Sequence, residues 1–195
     1  MEHRHHGKSS ANFLDADEIL TELDLKGNET FMDAGCGDGY IAIKAIDKYL
    51  PDGKVYAVDN YPQSINDLEE YKKENNVGNL FNVEADLAGE ISEIEKASVD
   101  VVLMLNVFHG FKKNADEAIL ELKRVTKDDG RIAIMEFAPV EMQFGPSLEV
   151  RVSPDELEKQ FSNHGLKKIY LNEDIGAEIP DGKSHYLMIF KKEQI

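Results

Sequence analysis

The chain has 195 residues, enough for one domain with a sizeable core, and its 42% hydrophobic and 31% charged content fits a soluble globular protein. A formal net charge of −16 repels phosphate backbones, and the nearest basic pairs, Lys72-Lys73 and Lys112-Lys113, are short and flanked by acids, which argues against nucleic acid as a partner. No run is long enough to cross a bilayer, no signal-peptide pattern is present, and the single cysteine, Cys36, excludes an intrachain disulfide, so the expected location is the cytoplasm.

Residues 1–29 read as an N-terminal arm and helix. Residues 1–12 are polar and aperiodic, as in an arm or a lid over a ligand site, and His3, His5 and His6 are read as part of that arm rather than as metal ligands. The pattern over 15–25 puts Ile19, Leu20 and Leu23 on one helical face, and Gly27-Asn28 ends it. Residues 30–195 read as one domain. Phe31-Met32 lead into Asp33-Ala34-Gly35-Cys36-Gly37-Asp38-Gly39, and a helical pattern over 40–50 follows. Glycines between a strand and a helix let a ligand approach the backbone, because no Cβ stands in the way. The helix start adds free N–H groups. The dinucleotide fingerprint wants its third small residue one position after Gly39, where this chain has Tyr40, which counts against a pyrophosphate seat. Cys36 is read as a small residue in a tight turn.

The turn 51–54 leads into Val55-Tyr56-Ala57-Val58-Asp59, a short apolar strand ending in a carboxylate. Ligands of open α/β sheets bind at such strand ends. Asp59 can accept from a ribose diol there, or cap the helix over 62–76 that opens at Pro62. A strand over 80–84 precedes Ala85-Asp86-Leu87. The run from Asp100 to Leu105 suits a parallel strand buried on both faces, and it delivers Asn106-Val107-Phe108-His109-Gly110-Phe111. A helix over 114–126 carries Ala118, Ile119, Leu122 and Val125 on one face, and the turn 127–130 leads to a strand over 131–137. A looser segment, 138–152, contains Pro and Gly. Ser153, Pro154 and Glu156 form a capping signature for a helix that Gly165 stops. The strands 166–171 and 185–191 are joined by polar residues and no helix, so an antiparallel pair is expected there. The preceding alternation implies a parallel sheet with right-handed crossovers.

The glycine run behind Asp33, the acid closing strand 55–59, the acid after strand 80–84 and the Asn106 strand end follow one another in a family order. From about Phe31 to its C-terminus the chain resembles the class I S-adenosylmethionine-dependent methyltransferases of the small, general small-molecule type. The resemblance implies an α/β fold: a Rossmann-like, doubly wound, mostly parallel seven-stranded sheet with one antiparallel strand near the C-terminus. It implies S-adenosyl-L-methionine as cofactor and S-adenosyl-L-homocysteine as product. Cofactor contacts would come from Asp33, Ala34, Gly35, Cys36, Gly37, Gly39, Asp59, Asn60, Ala85, Asp86, Leu87 and Asn106. Among these, Asp33 would face the ammonium, Asp59 the ribose, Asn60 the adenine and Asp86 the adenine amino group.

Methyl transfer from a sulfonium needs a nucleophile held in line, water kept out and, for some acceptors, a proton removed. His109 and Glu136 are the candidate catalytic groups, with backbone or site support as the competing role for each. Phe108, Phe111, Phe137, Met142 and Phe144 are candidates for an apolar acceptor pocket or for core packing. Asn106-Val107-Phe108 is not the Asn/Asp-Pro-Pro-Tyr/Phe of enzymes that methylate exocyclic base amines. Cytosine C5 and arsenic methylation call for cysteines elsewhere than Cys36. The expected activity is therefore methyl transfer to a small molecule, with no metal, nucleic acid or membrane partner, and homo-oligomerisation is left open. The competing readings are a non-catalytic S-adenosylmethionine-binding partner module and a nucleotide-dependent oxidoreductase.

Overall fold

A computed structural model describes residues 10–193; His3, His5 and His6, with most of the arm, lie outside the described residues. Strand β1 (Thr30–Ala34) turns Phe31 to one face of the sheet and Met32 and Ala34 to the other. Strand β4 (Val99–Leu105) does the same with Val101, Leu103 and Leu105 against Val102 and Met104. Such strands need helices on both sides. Helices α1 (Ala16–Glu22), α2 (Tyr40–Lys44) and α3 (Pro62–Glu74) cover the first face with Ile19, Leu20, Ile41, Ile65 and Leu68. Helices α4 (Ala115–Val125) and α5 (Pro154–Ser162) cover the second with Ile119, Leu122, Leu157 and Phe161. Phe161 stacks on Phe190 at 4.3 Å between centroids. Full burial of such a ring is worth about 1.5–3 kcal/mol.

The other strands are β2 (Lys54–Asp59), β3 (Leu80–Glu84), β5 (Thr126–Phe137), β6 (Leu166–Ile179) and β7 (Gly182–Lys192). The seven-stranded sheet has the order β3-β2-β1-β4-β5-β7-β6. All pairs through β5 are parallel, and β7 runs antiparallel to both neighbours, which is the expected architecture. Local starts follow the sequence signals. Asp15 caps α1 by accepting from Asp17 N–H, and Ser153 and Glu156 form a reciprocal capping box on α5.

The structure differs from the sequence expectation in three places. The helix over 40–50 passes into a π-helical turn, Ala45–Tyr49, closed by Leu50 N–H on Ala45 O; Pro51 disfavours a helical Leu50. The expected turn 127–130 is a bulge within β5, because Thr126 already pairs with Val99 before Arg131 pairs with Val101. The expected joining segment between the last strands is instead a long hairpin. Register shifts after Lys168, Asn172 and Ile175 break the in-out alternation, so its polar side chains do not read as strand.

Among the described residues no helix is long and apolar enough to cross a membrane. The carboxyl ends of β1, β2, β4 and β5 meet at one edge, and a cavity of about 390 Å³ opens there.

Candidate active site

The glycine loop forms the cavity floor. Gly35 and Cys36 donate their N–H groups to Val58 O at 2.8 and 2.9 Å, which turns the chain sharply out of β1. Gly35 sits at φ +84, and a Cβ there would meet Val107 Cγ2 at 2.5 Å, so only glycine lets the loop pack on the β4 exit. Gly37 N–H donates to Asp59 Oδ2 at 2.9 Å, tying the loop to the end of β2. Gly39 abuts Leu68 and helps seat α3. Burial, with Asp33 and Asp59 nearby, pushes the Cys36 thiol far above its usual range and leaves it unreactive.

Carboxylates stand around this floor in different states. Asp59 accepts from Gly37 N–H with one oxygen and from Tyr61 N–H with the other, so it closes the turn into α3 while it lines the cavity. Asp86 accepts from Ala88 N–H and also lines the cavity. Asp33 is buried in the wall, and its Oδ2 has no hydrogen-bond partner among the described residues. Desolvation first and the Asp59 charge second raise its pKa to about 7, against the pull of the Ala42 N–H.

At the other side, Glu136 is fully paired. It accepts from His109 N–H at 3.0 Å, from His109 Nδ1 at 2.9 Å and from Phe137 N–H at 3.2 Å. A carboxylate only accepts, so Nδ1 carries the imidazole proton. His109 lines the cavity, and its Nε2 has no partner among the described residues. In the neutral ring that leaves the lone pair on Nε2, facing the cavity. The 108–111 turn after β4 holds His109 there, with Phe108 driven into the core against Phe161.

Phe13 crosses the cavity from the N-terminal segment, packed on Phe137 and Phe144 at 6.1 and 5.5 Å. Tyr40 pins that segment: its hydroxyl donates to Leu14 O and accepts from Ala16 N–H, both at 3.1 Å. The loop after β5 folds around one side chain. The Arg151 guanidinium donates to the carbonyls of Ala138, Val140, Phe144 and Pro146 and lies over the Phe137 ring. Gly145 and Pro146 of that loop reach the cavity.

Of the sequence candidates, Asp33, Gly35, Cys36, Gly37, Asp59, Asn60, Ala85, Asp86, Leu87 and Asn106 line the cavity, as do His109, Phe111 and Phe137. Glu136 lies behind the wall and touches the cavity through His109. Ala34, Gly39 and Phe108 pack away from it. Met142 and Phe144 line a separate shallow cleft with Ile179 and Pro180. Sequence reasoning missed Ser10, Phe13, Tyr61, Ser64, Val107 and the buried Ser184-His185 pair behind Asn106. The arm-or-lid reading of the N-terminal residues named no contact, and Tyr40, which ties that segment down, was read there only as a misfit to a dinucleotide loop. Among the described residues no group of three or more His, Cys, Asp or Glu is placed to hold a metal.

The family profile described as a methyltransferase domain matches residues 25–193. Among curated proteins no sequence matches. A solved SAM-dependent methyltransferase from Aquifex aeolicus is 24% identical with a TM-score of 0.79, over 91% of this chain and 89% of that one. A putative type 11 methyltransferase from Sulfolobus solfataricus is 23% identical with a TM-score of 0.67, over 92% of each chain. A TehB-like SAM-dependent methyltransferase from Corynebacterium glutamicum is 21% identical with a TM-score of 0.67, over 91% of this chain and 88% of that one. At these identities the likenesses establish the shared fold.

Proposed function

Because this chain belongs to the methyltransferase-domain family, we propose that it transfers the methyl group of S-adenosylmethionine to a small-molecule acceptor bearing a dissociable proton, with His109 as general base. The donor set fits such a cofactor. The unpartnered, buried Oδ2 of Asp33 suits an ammonium, and Asp59 and Asp86 suit the hydroxyl and amino donors of an adenosyl group. The Gly35–Gly37 backbone and Asn60 would complete the seat. When bound, the cofactor supplies a sulfonium-activated methyl group for in-line displacement and leaves as S-adenosylhomocysteine.

The chain's own task is then to orient the acceptor, exclude water and take one proton. Phe13, Phe111 and Phe137 offer an apolar enclosure beside the glycine loop. His109 Nε2 takes the acceptor's proton as the new bond to carbon forms. Glu136 holds the tautomer that leaves Nε2 free, and its carboxylate balances the imidazolium that results. The observation that carries this reading is the His109 ring locked at Nδ1 and unpartnered at Nε2 on the cavity wall. The net charge of −16 supports a small molecule over a nucleic acid.

The test is transfer of labelled methyl from S-adenosylmethionine into a host-cell extract, fractionated by size, with Asp59→Ala as control. Label in small molecules that disappears in the control is the expected result. Label in macromolecules would overturn the acceptor class. No label from a protein that binds the cofactor would favour a non-catalytic partner module.

A further inference from the structure

Behind the cavity wall a buried chain of hydrogen bonds ends on Asn106. Ala177 N–H of β6 donates to Ser184 Oγ at 2.9 Å. Ser184 Oγ lies 2.7 Å from His185 Nδ1, and His185 Nε2 lies 3.0 Å from Asn106 Oδ1. Ser184 and His185 are fully buried on β7. The Ser184 hydroxyl hydrogen must find an acceptor there, and His185 Nδ1 is the group in reach, so Nε2 carries the single ring hydrogen and donates to Asn106. Burial and the Arg151 charge keep the ring neutral by lowering its pKa to about 3. Gly176 makes room for the arrangement: at φ +90, a Cβ there would come within 2.8 Å of Ser184 Oγ and 2.9 Å of His185 Nδ1. Phe137 covers the ring at 4.4 Å.

We infer that His185 is a positioning residue that fixes the Asn106 carboxamide with its NH2 toward the cavity, where it donates to a carboxylate oxygen at the amino-acid end of the cofactor. The inference rests on the cofactor assigned above. Asn106 sits at φ +57 with its N–H on Met135 O, so its backbone is also held. Its Nδ2 has no partner among the described residues, and Asn106 lines the cavity. The next residue, Val107, packs on Gly35, which puts Asn106 beside the glycine loop. Asp38 and Asp59 of the same wall are carboxylates that accept, so they cannot serve a carboxylate ligand. A fixed amide donor there supplies what those residues lack. Without that partner, the carboxamide could turn its oxygen to a ligand group that also only accepts.

Two measurements test this. In the ligand-free protein, long-range proton–nitrogen NMR on the His185 ring should show hydrogen on Nε2; hydrogen on Nδ1 would overturn the relay. Calorimetry with S-adenosylhomocysteine should show affinity about tenfold or more weaker in Asn106→Asp and His185→Leu, and largely recovered in His185→Gln, whose amide can still donate. Wild-type affinity in Asn106→Asp would overturn the donor role. Wild-type affinity in His185→Leu would show that the ring only fills space, and equal loss in His185→Leu and a folded His185→Gln would overturn the donor relay. A wild-type protein that fails to bind S-adenosylhomocysteine would overturn the proposed function and the carboxylate assignment with it, while the ring tautomer still decides the relay.

Discussion

Asp33 and Glu136 are both the penultimate residue of a strand, both buried, and they sit on β1 and β5, the two strands that flank β4. Their surroundings are opposite. Glu136 is met by three N–H donors, two of them from His109. Asp33 has one backbone donor, a carboxylate neighbour and an oxygen without a partner. A satisfied buried carboxylate organises what is already there. An unsatisfied one stores a cost that a cationic ligand relieves. The same chemical group, a carboxylate, at equivalent strand ends thus fixes an imidazole on one side and keeps an unpartnered oxygen on the other.

The contrast can be broken most severely at the paired side. His109→Ala should lower kcat by about 10²-fold or more while leaving cofactor affinity within about twofold, as expected for loss of a general base. Turnover unchanged with the true acceptor would remove His109 from the reaction. Glu136→Gln removes the acceptor-only partner and frees the His109 tautomer; a fall in kcat of about tenfold or more, with a stability loss of roughly 1–3 kcal/mol in denaturant melts, is expected. If Glu136→Gln were silent in both, pairing at this side would be incidental.

At the unpaired side, Asp33→Asn should weaken S-adenosylmethionine binding by about tenfold or more in calorimetry. The same substitution should stabilise the ligand-free protein near neutrality. The sign follows from linkage. The folded-state pKa, about 7, lies above the ordinary aspartate value of 3.8, so the folded state binds more protons and Asp33 costs stability as pH rises between those values. The wild-type midpoint should therefore fall from about pH 4 to about pH 7 more steeply than that of Asp33→Asn, in urea melts without ligand. Parallel curves would mean that Asp33 is not held protonated. The smallest expected effect is at Met142, which lies off the cavity: Met142→Ala should change cofactor affinity by less than about twofold, since distant sites act independently.

What could be read from the sequence was what local chemistry dictates. The loop at Gly35 and Gly37 and the acids at Asp59 and Asp86 are set by the turns they occupy, each of which satisfies its own backbone. The apolar run of β4 announced a strand covered on both faces. What could not be read depends on register between distant strands. His185 reaches Asn106 only because β7 pairs with β5 so that His185 opposes Phe137. Phe13 reaches the site because Tyr40 captures the backbone of a segment with no periodicity of its own. The β6–β7 hairpin hid behind polar residues whose facing changes at every bulge.

The grip of Arg151 on the loop after β5 bears on how this protein can change. Its contacts run to the carbonyls of Ala138, Val140, Phe144 and Pro146, which every amino acid possesses. The shape of the loop is thereby uncoupled from most of its side chains. Only Gly145 and Pro146 of this loop reach the cavity, and Gly145, at φ +85 with Phe137 Cε1 at 2.6 Å from any Cβ, must stay glycine; elsewhere over 139–147 side chains can change while the backbone keeps its course.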